Sequence, residues 1–219
     1  MTADPQGLSG EIVPLIMEDG AGAFRARLLA EPAILPLAPR RSDYDLNPDL
    51  QPAAPRELVP AAVLVPVVRR ADPTVLFTRR TENLARHAGQ VSFPGGRLHQ
   101  EDASLVVTAL RETREETGID PELIDVAGFL DPYETGTGFA ILPVVGLLEE
   151  SFSLRPNPQE VAEIFEVPLA FFLDQANCER ETGEWQGRTR TFYAFRYKQH
   201  HIWGATAAII VSLRDRIHP

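Results

Sequence analysis

Runs of apolar residues in the central and C-terminal parts of the chain predict a set of β-strands. Residues 61–68 (AAVLVPVV) are apolar throughout, which is typical of a strand that is buried on both faces. Residues 189–197 (TRTFYAFRY) alternate polar and apolar positions, as an antiparallel strand with one covered face does. Further strands are predicted at residues 74–79, 124–130, 139–148 and 160–168.

Apolar residues that recur about every 3.6 positions predict the helices. From Asp102 onwards one helical face is predicted to carry Val106, Ala109, Leu110, Thr113 and Thr117. Gly118 supplies the left-handed residue at which such a helix ends. The preceding residues 93–96 (FPGG) are expected to form a turn rather than regular helix or a central strand. Other helices are predicted at residues 23–29, 169–173 and 205–214.

The order of these elements predicts an α/β fold in which helices cover both faces of a mixed sheet. The folded domain is expected to span residues 59–219, with Trp203 in its core. Residues 1–58 are expected to form a proline-rich arm laid over a surface, because nine of the 19 prolines fall within residues 1–60.

Composition and charge limit the possible partners. The chain has 21 Lys and Arg against 31 Asp and Glu, a formal net charge of −10. This balance disfavours nonspecific binding to nucleic acid or anionic membranes, which both need clustered basic residues. Cys178 is the only cysteine, so neither an intrachain disulfide nor a CxxC zinc site is possible. Because no apolar run is long enough for a membrane span and no leader pattern is present, we expect a cytoplasmic protein.

Three carboxylates share one side of the helix that is predicted to start at Asp102. Glu112, Glu115 and Glu116 lie about 120° around the helix from its apolar face. Carboxylates on a rigid helix beside a glycine turn predict a site for hard divalent cations. A merely solvated acidic face is the alternative if the three glutamates are considered alone.

This stretch resembles the Nudix box. The match includes Gly96 and residues 111–119 (RETREETGI), although the loop between them is one residue longer than in the generic box and Thr113 replaces an aliphatic residue. The resemblance implies a Nudix fold, which is an α/β/α sandwich with a mixed sheet, and a hydrolase that requires Mg²⁺ or Mn²⁺. It also implies four metal ligands: Gly96, Glu112, Glu115 and Glu116.

The resemblance further implies which residues take part in catalysis and what each one does. Either Glu116 or a glutamate outside the helix would activate the attacking water, and Glu160 is the outside candidate. Arg111 is expected to orient a glutamate through an ion pair. Asp102 sits one place before the acidic position of the box, so it is expected to cap the helix.

A second motif resembles one branch of the same family, the coenzyme A pyrophosphatases. Residues 76–96 (LFTRRTENLARHAGQVSFPGG) follow the signature of that branch without gaps. The resemblance implies a small-molecule substrate, coenzyme A or an acyl-CoA, and it leaves a homodimer open. The substrate-binding residues expected from it precede the glycine turn: Arg79, Arg80, Arg86 and His87.

Two other functions stay open at this point. Thr81 and Ala85 depart from the signature, so another nucleoside diphosphate derivative, such as ADP-ribose, is an alternative substrate. A non-catalytic module that binds a nucleotide is the third possibility, and the three intact glutamates argue against it.

Overall fold

Two sheets organise the residues that the computed structural model describes, which are residues 16, 22–83, 87–185 and 187–218. The strands of the nine-stranded main sheet are β1 (Arg41–Ser42), β2 (Val59–Arg69), β3 (Thr74–Arg80), β4 (Val91–Ser92), β5 (Gly95–Arg97), β6 (Ile124–Phe129), β7 (Tyr133–Glu134), β8 (Phe139–Glu149) and β9 (Val161–Pro168). The strands of the small sheet are β10 (Glu179–Trp185), β11 (Arg188–Tyr197) and β12 (His200–Trp203). The described helices are α1 (Gly22–Arg25), α2 (Leu105–Thr117), α3 (Leu169–Leu173) and α4 (Ala205–Ile217).

Strands β2 and β8 form the centre of the main sheet. They run parallel, from Val59 opposite Phe139 to Arg69 opposite Glu149. Antiparallel strands extend the sheet on both sides: β3 and β5 pair with β2, and β6 and β7 pair with β8. Strands β4 and β9 pair with β3. The central position of β2 explains why residues 61–68 are apolar throughout.

Apolar clusters cover both faces of the main sheet. On one face, Leu105 and Ala109 of α2 pack with Leu64 of β2. On the other face, Phe77 of β3 packs with Phe172 of α3 and with α4. The predicted mixed sheet between helices is therefore confirmed. Within the described ranges, no helix is long and apolar enough to cross a membrane.

The glycine segment differs from its prediction. Gly95–Arg97 is strand β5, which pairs with residues 61–63 of β2. The backbones approach closely here, because an ideal Cβ on Gly95 would overlap the carbonyl oxygen of Ala62. Glycine therefore permits strand pairing at this position, where the sequence predicted only a turn.

The start of α2 also differs from its prediction, whereas its end does not. The helix begins at Leu105 rather than at Asp102, since Ser104 is its N-cap and accepts a hydrogen bond from the backbone N–H of Val107 at 3.3 Å. Gly118 ends the helix in the left-handed conformation, with φ of 76°, as predicted.

The small sheet contains one predicted strand and two that the sequence did not predict. Strand β11 pairs with β10 on one edge and with β12 on the other. β10 (ERETGEW) is polar at most positions, so it shows no apolar alternation. Trp203 was expected in the core, but it lies partly exposed opposite Ala194. Strand alternation puts its neighbour Ile202 into the core instead.

The N-terminal segment is attached to both sheets. Strand β1 pairs in parallel with β7 of the main sheet. The buried side chain of Asn47 accepts a hydrogen bond from the backbone N–H of Thr191 at 2.7 Å and donates one to its carbonyl at 2.8 Å. Asn47 thereby continues the hydrogen-bond ladder along the edge of β11. The division of the chain into an arm and a domain stays a prediction.

Asp43 connects the same segment to the loop after β7. Its carboxylate accepts hydrogen bonds from the Tyr133 hydroxyl at 2.8 Å and from the backbone N–H of Gly136 at 2.6 Å. It also lies 3.0 Å from Nη2 of Arg190 in β11. One buried carboxylate therefore joins the segment, the loop and the small sheet.

Candidate active site

Strand β5 brings a glycine against helix α2. Gly96 is paired with Ala62 of β2. An ideal Cβ at position 96 would overlap the carboxylate of Glu112. Glu112 also accepts a hydrogen bond at 2.9 Å from Nη1 of Arg111. The missing side chain of Gly96 makes room for the first carboxylate of the site.

Glu116 lies one turn further along α2 and is buried, with an exposed fraction of 3%. The backbone N–H of Gly95 donates to its carboxylate, but among the described residues Oε2 has no hydrogen-bond partner. Burial raises the pKa of Glu116 to about 8; the charges of Glu112 and Glu160 add to the rise and that of Arg80 opposes it. A buried carboxylate oxygen without a partner is costly, so this position favours a ligand with positive charge.

Glu160, in the turn before β9, is a third acidic residue, and its charge acts on Glu116. Its backbone carbonyl accepts a hydrogen bond from the N–H of Thr81 at 2.9 Å, which ties this turn to the end of β3. The charges of Glu112 and Glu160 thus both act on Glu116, and we call these three residues the carboxylate cluster.

Arg111 lies beside this cluster and pairs with three acidic side chains, one of which belongs to the cluster. Its Nη1 is 2.9 Å from Glu112 and 3.2 Å from Oε2 of Glu115. Its Nε and Nη2 each donate to Asp102 at 2.9 Å. Glu115 is 56% exposed and turns towards Arg111, so it does not join Glu116 at the buried position.

Asp102 is a site residue whose role the sequence did not reveal. It was expected to cap α2, but it instead anchors Arg111 and accepts further hydrogen bonds from the backbone N–H of His99 and the hydroxyl of Thr108. The bond from Arg111 is the main reason that the pKa of Asp102 is held well below its usual range. The pKa of Arg111 is raised in turn, chiefly by Asp102. The only sequence signal was an acid in the box loop that sits one place out of register.

The side chains of Arg79 and Arg80 lie on opposite faces of the main sheet. Nη1 of Arg80 lies 4.0 Å from Oε1 of Glu116, and its buried Nε has no partner among the described residues. Nε of Arg79 donates to Glu163 at 3.1 Å, and Glu163 lies 3.1 Å from Nε2 of His200. Arg80 is therefore at the carboxylate cluster, whereas Arg79 belongs to a separate network with Glu163 and His200.

Of the other two predicted basic residues, the structure describes His87 alone. His87 is exposed, has a positive φ of 58°, and has its Nδ1 2.8 Å from Oε1 of Gln90. Arg86 lies outside the described residues. Among the four predicted substrate-binding residues, the structure thus brings Arg80 to the cluster.

The donor set suits a hard divalent cation. Carboxylate and carbonyl oxygens are the ligands that Mg²⁺ and Mn²⁺ prefer, and a cation would satisfy the unpartnered Oε2 of Glu116. As the described side chains stand, no three from His, Cys, Asp and Glu converge on a common ion position. Glu112 and Glu115 are instead paired with Arg111. The residue types and the orphaned oxygen fit such an ion.

The chain also matches a known family over most of its length. The family model described as NUDIX domain matches residues 58–194, which include α2 and the carboxylate cluster. The chain belongs to the Nudix family. It is a Nudix hydrolase, a pyrophosphohydrolase. Nudix enzymes typically use divalent metal ions, and their substrates are small nucleotide derivatives.

Several relatives and solved structures resemble the chain. The "Uncharacterized Nudix hydrolase NudL" of Pectobacterium atrosepticum is 44% identical over 182 residues, which is 81% of this chain and 91% of that protein. The protein of the same name from Photorhabdus laumondii is 43% identical over 157 residues, with 72% and 84% covered. A MutT/nudix family protein structure from Enterococcus faecalis has 18% identity, covers 76% of this chain and 64% of that one, and gives a TM-score of 0.46.

Proposed function

We propose that this Nudix hydrolase cleaves the diphosphate bond of coenzyme A or an acyl-CoA. The products would be 3′,5′-ADP and 4′-phosphopantetheine or its acyl form. The observation that supports this substrate is the segment of residues 76–96, which follows the coenzyme A pyrophosphatase signature. Parts of the same segment form β4, β5 and the end of β3, next to the carboxylate cluster.

Charge is the main obstacle to this reaction, because the diphosphate oxygens repel a nucleophile. Glu112, Glu115, Glu116 and the carbonyl of Gly96 would hold Mg²⁺ or Mn²⁺, which supplies positive charge beside those oxygens. Arg80 would add a second positive group, because its guanidinium lies on the same face of the sheet as Glu116.

The attacking water also needs a proton acceptor. Glu116 and Glu160 are the two candidates, since both belong to the carboxylate cluster. Burial raises the pKa of Glu116 to about 8 in the metal-free site, and a bound cation would favour its charged form, which can accept a proton. Arg111 would act as a positioning residue that holds Glu112 and Glu115. Its guanidinium is itself held in place by two hydrogen bonds to Asp102.

A substrate panel tests the proposal. We would measure kcat/KM for coenzyme A, ADP-ribose and NADH with Mn²⁺, and we expect coenzyme A to be preferred by at least about tenfold. Glu116→Gln should lower kcat by at least about 100-fold, the scale of a lost acid–base group. Glu122→Gln removes an exposed carboxylate outside the cluster and should change little. Equal turnover by the parent protein and Glu116→Gln would exclude the mechanism.

ADP-ribose is the second candidate substrate. Thr81 stands where the coenzyme A signature has Ser or Ala, and Ala85 stands where it has Arg. The hydroxyl of Thr81 donates to the carbonyl of Gln159 at 3.2 Å, close to Glu160. A higher kcat/KM for ADP-ribose in the same panel would replace coenzyme A with this substrate and leave the reaction class unchanged.

A further inference from the structure

The turn before β9, residues 157–160 (NPQE), carries Glu160 of the carboxylate cluster. The carbonyl oxygen of Asn157 accepts hydrogen bonds from the backbone N–H groups of Glu160 at 3.0 Å and Val161 at 2.8 Å. Its side-chain Oδ1 accepts another from the backbone N–H of Gln159 at 3.1 Å. Asparagine is favoured at the start of such turns, because its side chain can bond to the backbone two residues on. Asn157 therefore closes the turn with both its backbone and its side chain.

Asn157 also contacts the helix that carries Glu116. Its backbone N–H donates to the carbonyl oxygen of Glu116 at 3.0 Å. Glu116 lies in the last turn of α2, where backbone carbonyls have no donor from within the helix. The N–H of Arg155 makes the same kind of bond to the carbonyl of Thr117 at 2.7 Å. The backbone of Asn157 thus joins the backbone of Glu116 directly to that of Glu160.

The residue after strand β3 holds the other side of the turn. The backbone N–H of Thr81 donates to the carbonyl of Glu160 at 2.9 Å, and its hydroxyl donates to the carbonyl of Gln159 at 3.2 Å. Thr81 directly follows Arg80, whose Nη1 lies 4.0 Å from Oε1 of Glu116. The turn is therefore held between the two elements that carry Arg80 and Glu116.

The carboxylate of Glu160 depends on this turn for its position. Glu160 is half-buried, and no side chain that the structure describes forms an ion pair or a hydrogen bond with its carboxylate. Its charge and that of Glu112 both oppose ionisation of Glu116, so the ionised carboxylates repel one another. A repelled side chain moves towards solvent unless its backbone is fixed. The bonds from Asn157 and Thr81 fix that backbone.

We propose that Asn157 is a positioning residue, which holds Glu160 in a fixed place beside Glu116 during catalysis. Asn157 would act through Glu160 rather than on the substrate. The proposal rests on the proposed function for the part that Glu160 plays in the reaction. It does not depend on which nucleoside diphosphate derivative is cleaved. A proton acceptor has to lie within hydrogen-bond reach of its water, and a displacement of about 1 Å can cost about 100-fold in rate.

Substitutions at position 157 test the side-chain bond. Asn157→Ala removes the bond to the N–H of Gln159 and keeps the backbone bonds. We expect kcat to fall by about tenfold with KM within about twofold, since one bond of several is lost and only the transition state is affected. Asn157→Ser keeps an uncharged acceptor that can form the same turn more weakly, so it should be about threefold faster than Asn157→Ala.

The same turn offers a matched control. Gln159→Ala removes an exposed side chain, while the backbone groups of Gln159 that bond to Asn157 and Thr81 remain. Its kinetics should equal those of the parent protein. Equal kcat in Asn157→Ser and Asn157→Ala would show that the side-chain bond has no role.

A double-mutant cycle separates positioning from a general loss of structure. Glu160→Gln alone should lower kcat by at least about tenfold. If Asn157 acts through Glu160, adding Asn157→Ala to Glu160→Gln should change kcat by less than about twofold. Urea unfolding of all four proteins would show how much stability each substitution costs. The same loss of kcat in both backgrounds would mean that Asn157 serves the fold alone.

These kinetics would be measured with the substrate of the panel that has the highest kcat/KM. A preference for ADP-ribose would change the proposed substrate and leave this test intact. Full activity of Asn157→Ala or of Glu160→Gln would overturn the positioning role and would leave the choice of substrate unaffected. The two proposals can therefore fail independently.

Discussion

The carboxylate of Glu112 occupies the space that a side chain on residue 96 would need. Gly96→Ala should therefore displace Glu112 and lower kcat/KM by about 100-fold, the scale expected when a catalytic group moves by about 1 Å. Steady-state kinetics with the best substrate of the panel would measure this effect. The matched control is Gly22→Ala, where an added Cβ meets nothing within 4 Å. Similar kinetics for the two variants would show that the position of Glu112 does not matter.

The raised pKa of Glu116, about 8, predicts how the stability of the metal-free protein depends on pH. The folded state keeps a proton that the unfolded chain releases above its ordinary pKa of about 4.5. The stability from this group is thus complete below that pH and is lost as the pH rises to about 8. Urea unfolding in EDTA should show a fall in the free energy of unfolding between pH 5.5 and 8.5.

Glu116→Gln should flatten this fall, since the amide does not titrate. Glu115→Gln is the control, because Glu115 lies on the same helix but is exposed. It should keep the pH dependence of the parent protein. An unaltered slope in Glu116→Gln would mean that another group is responsible.

Asp102 is predicted to be important for both stability and activity through Arg111. Asp102→Asn breaks a pair whose acidic partner is buried, so we expect a loss of about 1–3 kcal/mol in the free energy of unfolding at pH 7. Because the pKa of Asp102 is lowered in the fold, its stabilisation is present above about pH 4 and is lost as the pH falls below it. The difference between parent and variant should therefore shrink in acid.

Asp49→Asn provides the comparison for Asp102→Asn. Asp49 pairs with Arg188 at 3.2 Å, but both side chains are mostly exposed. Its loss should cost less than about 1 kcal/mol. Equal costs for the two substitutions in urea unfolding would contradict a special role for the Asp102–Arg111 pair.

Asn47 is predicted to hold the N-terminal segment against the small sheet. Asn47→Ala removes both bonds to the backbone of Thr191, so we expect a loss of about 2 kcal/mol in the free energy of unfolding. Thermal denaturation would show this as a lower Tm. Gln51→Ala, an exposed neighbour, should leave the Tm within about 1 °C of the parent value. A normal Tm for Asn47→Ala would show that these bonds add no net stability.

The sequence was most informative where burial dictates the residue types. Residues 61–68 and 139–148 are apolar because they form the central strands of the sheet, and both were predicted. Strand β10 was not predicted, because its backbone pairing with β11 leaves most of its side chains exposed and free to be polar. Backbone hydrogen bonds place no demand on side-chain polarity.

The candidate site, like the fold, could be predicted from the sequence only in part. The order of the glutamates on a helix and an ion pair from Arg111 could be predicted, since Glu115 lies one turn after Arg111. The anchoring of Arg111 by Asp102 could not, because it depends on the path of the loop before the helix. Arg79 and Arg80 were predicted as equivalent. Because side chains alternate along a strand, the sequence alone indicated that Arg79 and Arg80 face opposite sides of the sheet.

The parallel pairing of β2 with β8 has a consequence for how the protein acquires its fold during synthesis. Val59 has to pair with Phe139, and each following pair of the β2–β8 ladder joins residues that are equally far apart in the sequence. Contacts of such long sequence separation form slowly, because a long loop must close first. On the ribosome, β2 would emerge well before its central partner, with an apolar edge exposed to other chains. The early hairpin of β2 with β3 forms on the opposite edge of β2, so the edge that pairs with β8 would stay open until β8 is made.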